Sequence, residues 1–362
     1  MDDAHYRFYP VLQPFAFLYQ AAVALRNFCF NRGLLPSVSY SIPVICVGNL
    51  AVGGTGKTPL VEYLIRLLSG RFRVAVLSRG YKRKSTGYVL ADENSTAREI
   101  GDEACQIKVK FPQVTVAVDK HRRRGMRNLL ALPENVRPQV IILDDAFQHR
   151  YVKPSLSIIV TACNRLFFKD KLLPVGHLRE PATSVARAEL LLISKCPENI
   201  NEPEILQQLP EKFREDNVFF SKIEYQPPVS VFPQYHPHQF LQLDGMKDKV
   251  NILLFTGIAN PAPLIVEIGK YTANLRSLSF GDHHAFTKRD IEKIQRMLSQ
   301  MPGDSPLIIC TEKDAARLRH LEFIPDDWKS RLYYIPMKMR LLFGKENLFE
   351  KKIIQHISLL EN

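Results

Sequence analysis

"VGNLAVGGTGKTP" (47–59) has the composition of a phosphate-binding loop placed between a strand and a helix. It overlaps the apolar run 42–50, and apolar residues recur at helical spacing through 60–68. The usual pattern is G-x-x-x-x-G-K-[ST], and Ala51 replaces its leading glycine. The strand, loop and helix order with an intact G-K-T still predicts that this segment holds a phosphate.

Each position of the loop has a physical reason to be there. The glycines let backbone N–H groups turn inward as an anion nest at a helix N-terminus. The lysine is expected to reach the β- and γ-phosphates, and the threonine hydroxyl to contact Mg²⁺. The predicted nucleotide-binding residues of the loop are Gly53, Gly54, Thr55, Gly56, Lys57 and Thr58.

A second motif, "VIILDDAFQH" (140–149), is an apolar strand that ends in Asp144 and Asp145. In phosphate-loop sites an aspartate at such a strand end holds the Mg²⁺ that Thr58 also contacts. Paired aspartates after a strand also commonly cap a helix. Together with the loop, they favour a metal–phosphate site.

A third motif, "IGDEAC" (100–105), offers two carboxylates, Asp102 and Glu103. A hydroxyl that accepts a phosphoryl group needs a carboxylate within hydrogen-bond reach to take its proton. Taken alone, this motif is more typical of a helix N-terminal cap than of a catalytic site.

Two basic clusters follow predicted strands: "SRGYKRK" (78–84) and "DKHRRRG" (119–125). Ligands of open α/β sheets bind outside the carboxyl ends of the strands, so both clusters are placed to meet an anionic substrate. Solvated surface charge is the simpler explanation of either cluster taken alone.

The totals limit the classes of partner. The 362 residues include 49 Lys and Arg against 37 Asp and Glu, a formal charge of +12, which suits nucleic acid, an anionic membrane or a phosphorylated substrate. Charge alone does not choose among them. The six cysteines are scattered without a C-x-x-C pair, which argues against a zinc cage or disulfide framework and favours a reducing cytoplasm.

The N-terminal segment is the most apolar part of the chain. Residues 8–25 carry no charge, but Pro10 and Pro14 interrupt them, so the run is short and broken for a membrane span. We predict a helix from Phe15 to Asn31 that lies in a membrane interface. Packing of this helix on the protein's own core remains the alternative.

Short β-branched runs alternate with helical stretches, which predicts an α/β fold. We expect a P-loop NTPase-like, mostly parallel sheet with helices on both faces, plus a second smaller α/β domain. The segment 223–240 carries four prolines, which predicts a connection between the two domains. The predicted division is a membrane-interface helix 1–35, a P-loop domain 36–222, a linker 223–240 and a second α/β domain 241–362.

Eight blocks in this order resemble the tetraacyldisaccharide 4′-kinase family, the lipid A 4′-kinases of Gram-negative bacteria. They are "VGNLAVGGTGKTP" (47–59), "LSRGY" (77–81), "GDEA" (101–104), "LDDAFQH" (143–149), "LPVGHLREP" (173–181), "FTGIANP" (255–261), "FGDHHAF" (280–286) and "TEKDA" (311–315). The resemblance implies transfer of the γ-phosphate of ATP, with Mg²⁺, to the 4′-hydroxyl of a tetraacyl glucosamine disaccharide 1-phosphate. It places the protein at the cytoplasmic face of the inner membrane, attached peripherally, with a lipid substrate and neither nucleic acid nor an obligate protein partner.

The resemblance also assigns roles to residues of this chain. The register within the arginines 122–124 and the choice between His283 and His284 stay open. The implied catalytic residues are Asp102, Glu103, His149 and Arg122; the nucleotide set gains Asp145; the substrate set is Arg79, Tyr81, Arg179, His283 and His284; and the metal set is Thr58, Asp144 and Glu180.

Two other functions fit a phosphate loop. One is an ATP-dependent ligase or synthetase acting on a soluble carboxylate, which would have no use for the apolar N-terminus. The other is a membrane-associated nucleotide switch, which would need loops that order around the γ-phosphate but no base near an acceptor.

Overall fold

The apolar runs form strands buried on both faces, as expected of a sheet covered by helices. The computed structural model describes residues 8–213, 216–235, 241, 243, 250–303 and 305–358. The strands are β1 Val44–Gly48, β2 Val74–Ser78, β3 Val89–Leu90, β4 Thr115–Val118, β5 Val140–Asp144, β6 Leu156–Ala162, β7 Leu190–Ser194, β8 Val218–Tyr225, β9 Val229–Ser230, β10 Asn251–Thr256, β11 Asn274–Ser279, β12 Leu307–Thr311, β13 Leu332–Ile335 and β14 Met337–Leu341.

Helices fill most connections between the strands. They are α1 Gln13–Asn31, α2 Lys57–Leu68, α3 Ala97–Ile100, α4 Asp102–Lys110, α5 Arg122–Leu130, α6 Glu202–Leu206, α7 Ala262–Ile268, α8 Lys288–Ser299, α9 Glu312–Leu318, α10 Asp326–Lys329 and α11 Glu346–Ser358.

The strands of the described residues form two sheets. The larger has the order β14-β8-β7-β6-β1-β5-β2-β4-β3, and its strands from β8 to β4 are parallel with antiparallel strands at both edges. The smaller has the order β11-β10-β12-β13-β9, with only β9 antiparallel. Helices α2, α4 and α11 cover one face of the large sheet and α5 and α6 the other. The predicted α/β class, with a mostly parallel main sheet, is confirmed.

The chain crosses between the two sheets at points that depart from the predicted division. β14 pairs with β8 of the large sheet, and Phe349 and Ile353 of α11 are buried in the core of that sheet. Both elements were assigned to the second domain, so that assignment is wrong for them. β14 covers the edge of the large sheet that β8 would otherwise leave unpaired. This pairing is the physical reason why the chain returns to the large sheet.

The predicted linker 223–240 also contributes to both sheets. Its first residues complete β8, and Val229–Ser230 form β9 at the edge of the small sheet. Residues 236–240 of this segment lie outside the described residues.

Helix α1 spans Gln13–Asn31, close to the predicted 15–31. One side packs on the protein: Tyr19 donates to the carbonyl of Arg179 at 2.8 Å, and Arg26 donates to the carbonyl of Gln148 at 2.6 Å. The opposite side leaves large apolar residues exposed, including Phe17 at 68% and Leu18 at 71%. No helix in the described ranges is both long and apolar enough to cross a bilayer.

Candidate active site

The phosphate loop lies between β1 and α2 and needs glycine at two points. Gly53 and Gly56 have φ of 107° and 88°, values that side chains rarely adopt. A Cβ on Gly56 would lie 3.0 Å from Oγ of Ser194. Helix α2 begins at Lys57, so its first N–H groups point into the loop.

Neighbouring strand ends brace the loop through its carbonyl groups. Ser194 Oγ donates to the carbonyl of Thr55 at 2.5 Å, and Lys195 Nζ donates to that of Gly54 at 2.6 Å. From β1, Asn49 Nδ2 donates to the carbonyl of Ala51 at 2.6 Å and to Oγ1 of Thr55 at 3.1 Å. These bonds hold the carbonyls of Ala51, Gly54 and Thr55 in fixed positions.

The acidic strand end lies directly beside the loop. β1 and β5 are parallel neighbours, with Val47 opposite Asp144. Asp144 is only 4% exposed, and burial together with the charge of Glu103 raises its pKa to about 6. Ser78 Oγ donates to it at 3.2 Å.

Asp145 follows Asp144 directly and has a left-handed backbone conformation with φ of 47°. Its carboxylate lies 3.3 Å from Lys57 Nζ and 3.2 Å from Arg179 Nη1. Burial raises the pKa of Asp145, but the positive charges of Lys57 and Arg179 outweigh burial and hold this pKa below its ordinary value. The two aspartates therefore differ: Asp145 pairs with cations, and Asp144 has no salt-bridge partner among the described residues.

The structure distinguishes the three consecutive arginines 122–124. Arg122 is 2% exposed and donates to the backbone carbonyls of Asp119 at 2.6 Å and Asp144 at 3.1 Å. Burial lowers its pKa to about 10. Its Nε has no partner within the described residues. Arg124 pairs with Asp119 on the outside at 2.7 Å, so Arg122 is the arginine that faces the strand ends.

His149 is half-buried and lies near Arg122 and Arg79. Burial and the charges of Arg122 and Arg79 lower its pKa to about 4. Its imidazole is therefore neutral near pH 7 and can donate or accept a hydrogen bond. Arg79 itself is exposed.

Asp102 is the first residue of α4, and it meets groups from the second sheet. His283 Nδ1 lies 2.6 Å from its Oδ2, and Arg317 Nε and Nη2 donate to Oδ1 and Oδ2 at 3.1 and 2.6 Å. Burial raises the pKa of Asp102, but the bonds and charge of Arg317, aided by His283, hold it below its ordinary value. The neighbouring Glu103 pairs with Lys313 Nζ at 3.0 Å.

The two histidines of "FGDHHAF" point to different partners. His283 contacts Asp102 and lies edge-on to the ring of Tyr81, with centroids 5.4 Å apart. His284 Nε2 lies 3.0 Å from Asp290, in the capping box of α8. The structure thus brings His283, and not His284, to the predicted base.

Glu180 has arginine partners. It is 1% exposed, it forms an ion pair with Arg187, and its Oε1 lies 4.0 Å from Arg26 Nη1. No group of three or more His, Cys, Asp or Glu side chains able to hold a metal ion occurs in the part of the chain that the structure describes.

Sequence reasoning missed the braces Asn49, Ser194 and Lys195, and it missed Lys313 and Arg317. Lys313 and Arg317 lie four residues apart, on one face of α9. Lys313 also lies in the block "TEKDA" (311–315). For Arg317 the spacing is the only sequence signal, and it is common on solvated helices.

Comparisons with known proteins identify the relatives of this chain. A family model described as Tetraacyldisaccharide-1-P 4′-kinase matches residues 8–358. Proteins named tetraacyldisaccharide 4′-kinase are similar over nearly full length: that of Parabacteroides distasonis is 49% identical, covering 99% of this chain and 97% of the relative, and that of Bacteroides thetaiotaomicron is 44% identical, covering 99% and 95%.

A solved structure is also similar. It is the crystal structure of an "apo" form of LpxK from Aquifex aeolicus in complex with ATP, with a TM-score of 0.73 and 28% identity over 96% of this chain and 99% of that one. The family predicted from the eight sequence blocks is confirmed: this chain belongs to the tetraacyldisaccharide 4′-kinase family.

Proposed function

We propose that this chain transfers the γ-phosphate of ATP to the 4′-hydroxyl of a tetraacyl glucosamine disaccharide 1-phosphate. Family membership supports the activity, and ATP is the ligand named for the similar Aquifex aeolicus structure. The observation that carries the assignment of residues is the placement of Asp102 beside His283, near the strand ends that hold the phosphate loop.

The phosphate loop and its basic neighbours hold the nucleotide in this proposal. Lys57 pairs with Asp145 at 3.3 Å, so its ammonium is already at the strand end where a γ-phosphate would lie. Arg122 is fixed by backbone carbonyls, and its Nε has no hydrogen-bond partner among the residues that the structure describes. It is suited to stabilise the charge of the transferred group, because a preorganised donor needs little reorganisation during the reaction.

Asp102 is the proposed catalytic base. Its lowered pKa keeps it ionised near neutrality, and the hydrogen bond with His283 Nδ1 gives it a partner that can share the arriving proton. Glu103 and the neutral His149 are proposed to assist. Tyr81, Arg79, Arg179 and His283 are proposed to contact the acceptor.

The residues at the strand end fit Mg²⁺. Asp144 is a buried carboxylate without a salt-bridge partner among the described residues, and burial together with the charge of Glu103 raises its pKa. A hydroxyl and a carboxylate are the hard oxygen donors that Mg²⁺ prefers, alongside phosphate oxygens and water. Thr58 and Asp144 would hold the ion, which neutralises phosphate charge when bound. Glu180 pairs with Arg187 and lies near Arg26. We propose that it holds these two arginines in place and does not bind the metal ion.

The exposed apolar side of α1 is proposed to lie in the interface of an anionic membrane, at the cytoplasmic face of the inner membrane. Phe15, Phe17, Leu18 and Leu25 project from it. A net charge of +12 suits a surface of anionic lipids. A peripheral helix would give the kinase access to an acceptor that stays in the bilayer.

Incubation with γ-labelled ATP, Mg²⁺ and a lipid A disaccharide 1-phosphate tests the function, with the labelled lipid resolved by chromatography. We expect label on the lipid, and loss of label with Asp102→Asn while ATP affinity is kept. A matched Asp282→Asn variant alters a neighbouring carboxylate that lies 3.6 Å from His283, and it should retain most of the activity. Absence of labelled lipid with the unaltered chain would favour a ligase acting on a soluble carboxylate.

A further inference from the structure

Arg317 of α9 is bonded at all three guanidinium nitrogens. Nε and Nη2 donate to the two carboxylate oxygens of Asp102 at 3.1 and 2.6 Å. Nη1 donates to Asp314 at 2.8 Å and to the carbonyl of Gly257 at 3.2 Å. The side chain is 7% exposed. A planar fork engaged on every side has one orientation, and it imposes one orientation on the carboxylate that it binds.

The groups behind Arg317 are equally fixed. Asp314 accepts from the N–H of Gly257 at 3.0 Å and from the hydroxyl of Thr311 at 2.7 Å. A Cβ on Gly257 would lie 2.8 Å from Asp314 Oδ1 and 3.1 Å from Arg317 Nη1. Only glycine permits this close approach. The guanidinium of Arg317 is therefore held in the orientation that binds Asp102.

Two further ion pairs join α9 to α4. Lys313 Nζ lies 3.0 Å from Glu103, and Lys110 Nζ lies 2.7 Å from Glu312. With the pair of Arg317 and Asp102, opposite charges therefore meet along the length of both helices. This matching fixes how α9 lies on α4 and thereby where Arg317 reaches Asp102.

We propose that Arg317 is a positioning residue for phosphoryl transfer, which aims the carboxylate of Asp102 at the acceptor hydroxyl. The proposal rests on the proposed function. In the described residues Oδ2 of Asp102 is bonded to both Arg317 and His283, whereas Oδ1 accepts from Arg317 alone. Oδ1 therefore has a lone pair for the acceptor. As the acceptor oxygen bonds to the γ-phosphorus and the bond to the ADP oxygen breaks, the hydroxyl proton passes to Oδ1.

The charges around Asp102 give this role a pH signature. Several charged and titratable groups of the described residues face the cluster. They are Arg317 and Asp314 from α9, His283 and Asp282 from the loop before α8, Glu103 with Lys313 beside it, Cys105 from α4, and Tyr81 from the loop after β2. Arg317 is the main group that opposes the effect of burial on the pKa of Asp102. Without it this pKa rises, so the acid limb of the rate profile moves to higher pH.

The test uses the full chain with Arg317→Met, Mg²⁺, ATP and the lipid acceptor, with kcat measured across pH. We expect kcat to fall about 100-fold, as a misaligned catalytic group commonly causes. ATP affinity should stay unchanged, and the acid limb should move to higher pH. Arg317→Lys should fall between, because it keeps the charge but loses the fork.

Arg331→Met is the matched control: Arg331 pairs with Asp327 and the carbonyl of Pro306, away from α4. Its rate should equal that of the unaltered chain. The double variant with Asp102→Asn should be no slower than Asp102→Asn alone, because Arg317 acts through Asp102.

Each outcome is decisive. If thermal unfolding shows that Arg317→Met does not fold, Arg317→Lys is judged by the same measurements. Unaltered kcat and an unaltered pH profile in the folded variant would overturn the positioning role in an active enzyme. An unaltered chain that transfers no phosphate would instead overturn the proposed function.

Discussion

The phosphate region (Gly53–Thr58, Asp144 and Asp145) and the base cluster (Asp102, His283 and Arg317) are built in different ways. The phosphate region comes from adjacent strand ends of one sheet, where β1 and β5 pair in register. In the base cluster, Asp102 meets groups 181 and 215 residues further along the chain. The first depends on local backbone geometry, and the second on how the small-sheet region docks. Changes to each should therefore fail differently.

The largest effect is expected from Lys57→Met in the phosphate region. It removes a charge aimed at the transferred phosphate, so kcat/KM should fall about 1,000-fold. Lys195→Met is the matched variant, because Lys195 only braces the carbonyl of Gly54. It should cost about tenfold, the worth of one charge-assisted bond. Steady-state kinetics with the lipid acceptor checks both variants. Equal losses of kcat/KM would mean that the charge of Lys57 contributes no more to transfer than that of Lys195.

The base cluster should respond to one histidine and not to its neighbour. His283→Ala removes one of the hydrogen-bond partners of Asp102, and we expect kcat to fall about 100-fold while ATP affinity is kept. His284→Ala removes a contact with Asp290 and ring contacts with Phe280 and Phe286, but none with Asp102, so we expect a loss of about 1 kcal/mol in stability. Kinetics together with thermal unfolding of both variants separates the two roles. A greater kinetic loss for His284 would contradict this assignment.

The contrast between these regions also explains what could be predicted from the sequence. The phosphate loop and "LDD" are contiguous, since each needs a strand, a turn and a few side chains with a fixed local geometry. The fold class followed from the same buried strands. Arg317 emerged only with the structure, because its partner Asp102 is 215 residues away and docking, not spacing, brings them together.

The strand pairing of the C-terminus was missed for a related reason. β14 is short and partly exposed, and nothing in its composition indicates which sheet edge it covers. A similar limit applied to Glu180: its motif suggested a metal ligand, whereas the arginines that surround it come from α1 and from the turn after it.

Within the phosphate region, the ionised carboxylate of Asp144 is proposed to bind Mg²⁺, and we expect it to lower the free energy of unfolding. Its folded-state pKa of about 6 lies above the ordinary 3.8, so the folded protein keeps a proton that the unfolded chain loses between about pH 4 and 6. Stability therefore falls as pH rises through this window and stays lower above it. Asp144→Asn should be about 2 kcal/mol more stable at pH 8 and equal at pH 4.

Denaturant unfolding at both pH values measures this difference. Addition of Mg²⁺ and ATP should narrow it at pH 8, because only the carboxylate gains a cation. Ser78→Ala keeps the carboxylate but removes a hydroxyl that donates to it, so it should not raise stability. A stability difference that is the same at both pH values would contradict the raised pKa.

The smallest expected effect lies on α1, whose inner side packs on the rest of the protein. Tyr19 and Arg26 reach Arg179 and Glu180, but Phe17 projects away with 68% of its surface exposed. Phe17→Ser should weaken binding to anionic vesicles about tenfold. The substitution removes an aromatic ring of which we expect roughly half the surface to be buried in the lipid interface. Its kcat on detergent-dispersed acceptor should not change. Val266→Ser, equally exposed on α7, is the control for unspecific apolar adhesion; if both variants lose vesicle binding alike, α1 is not the surface that meets the membrane.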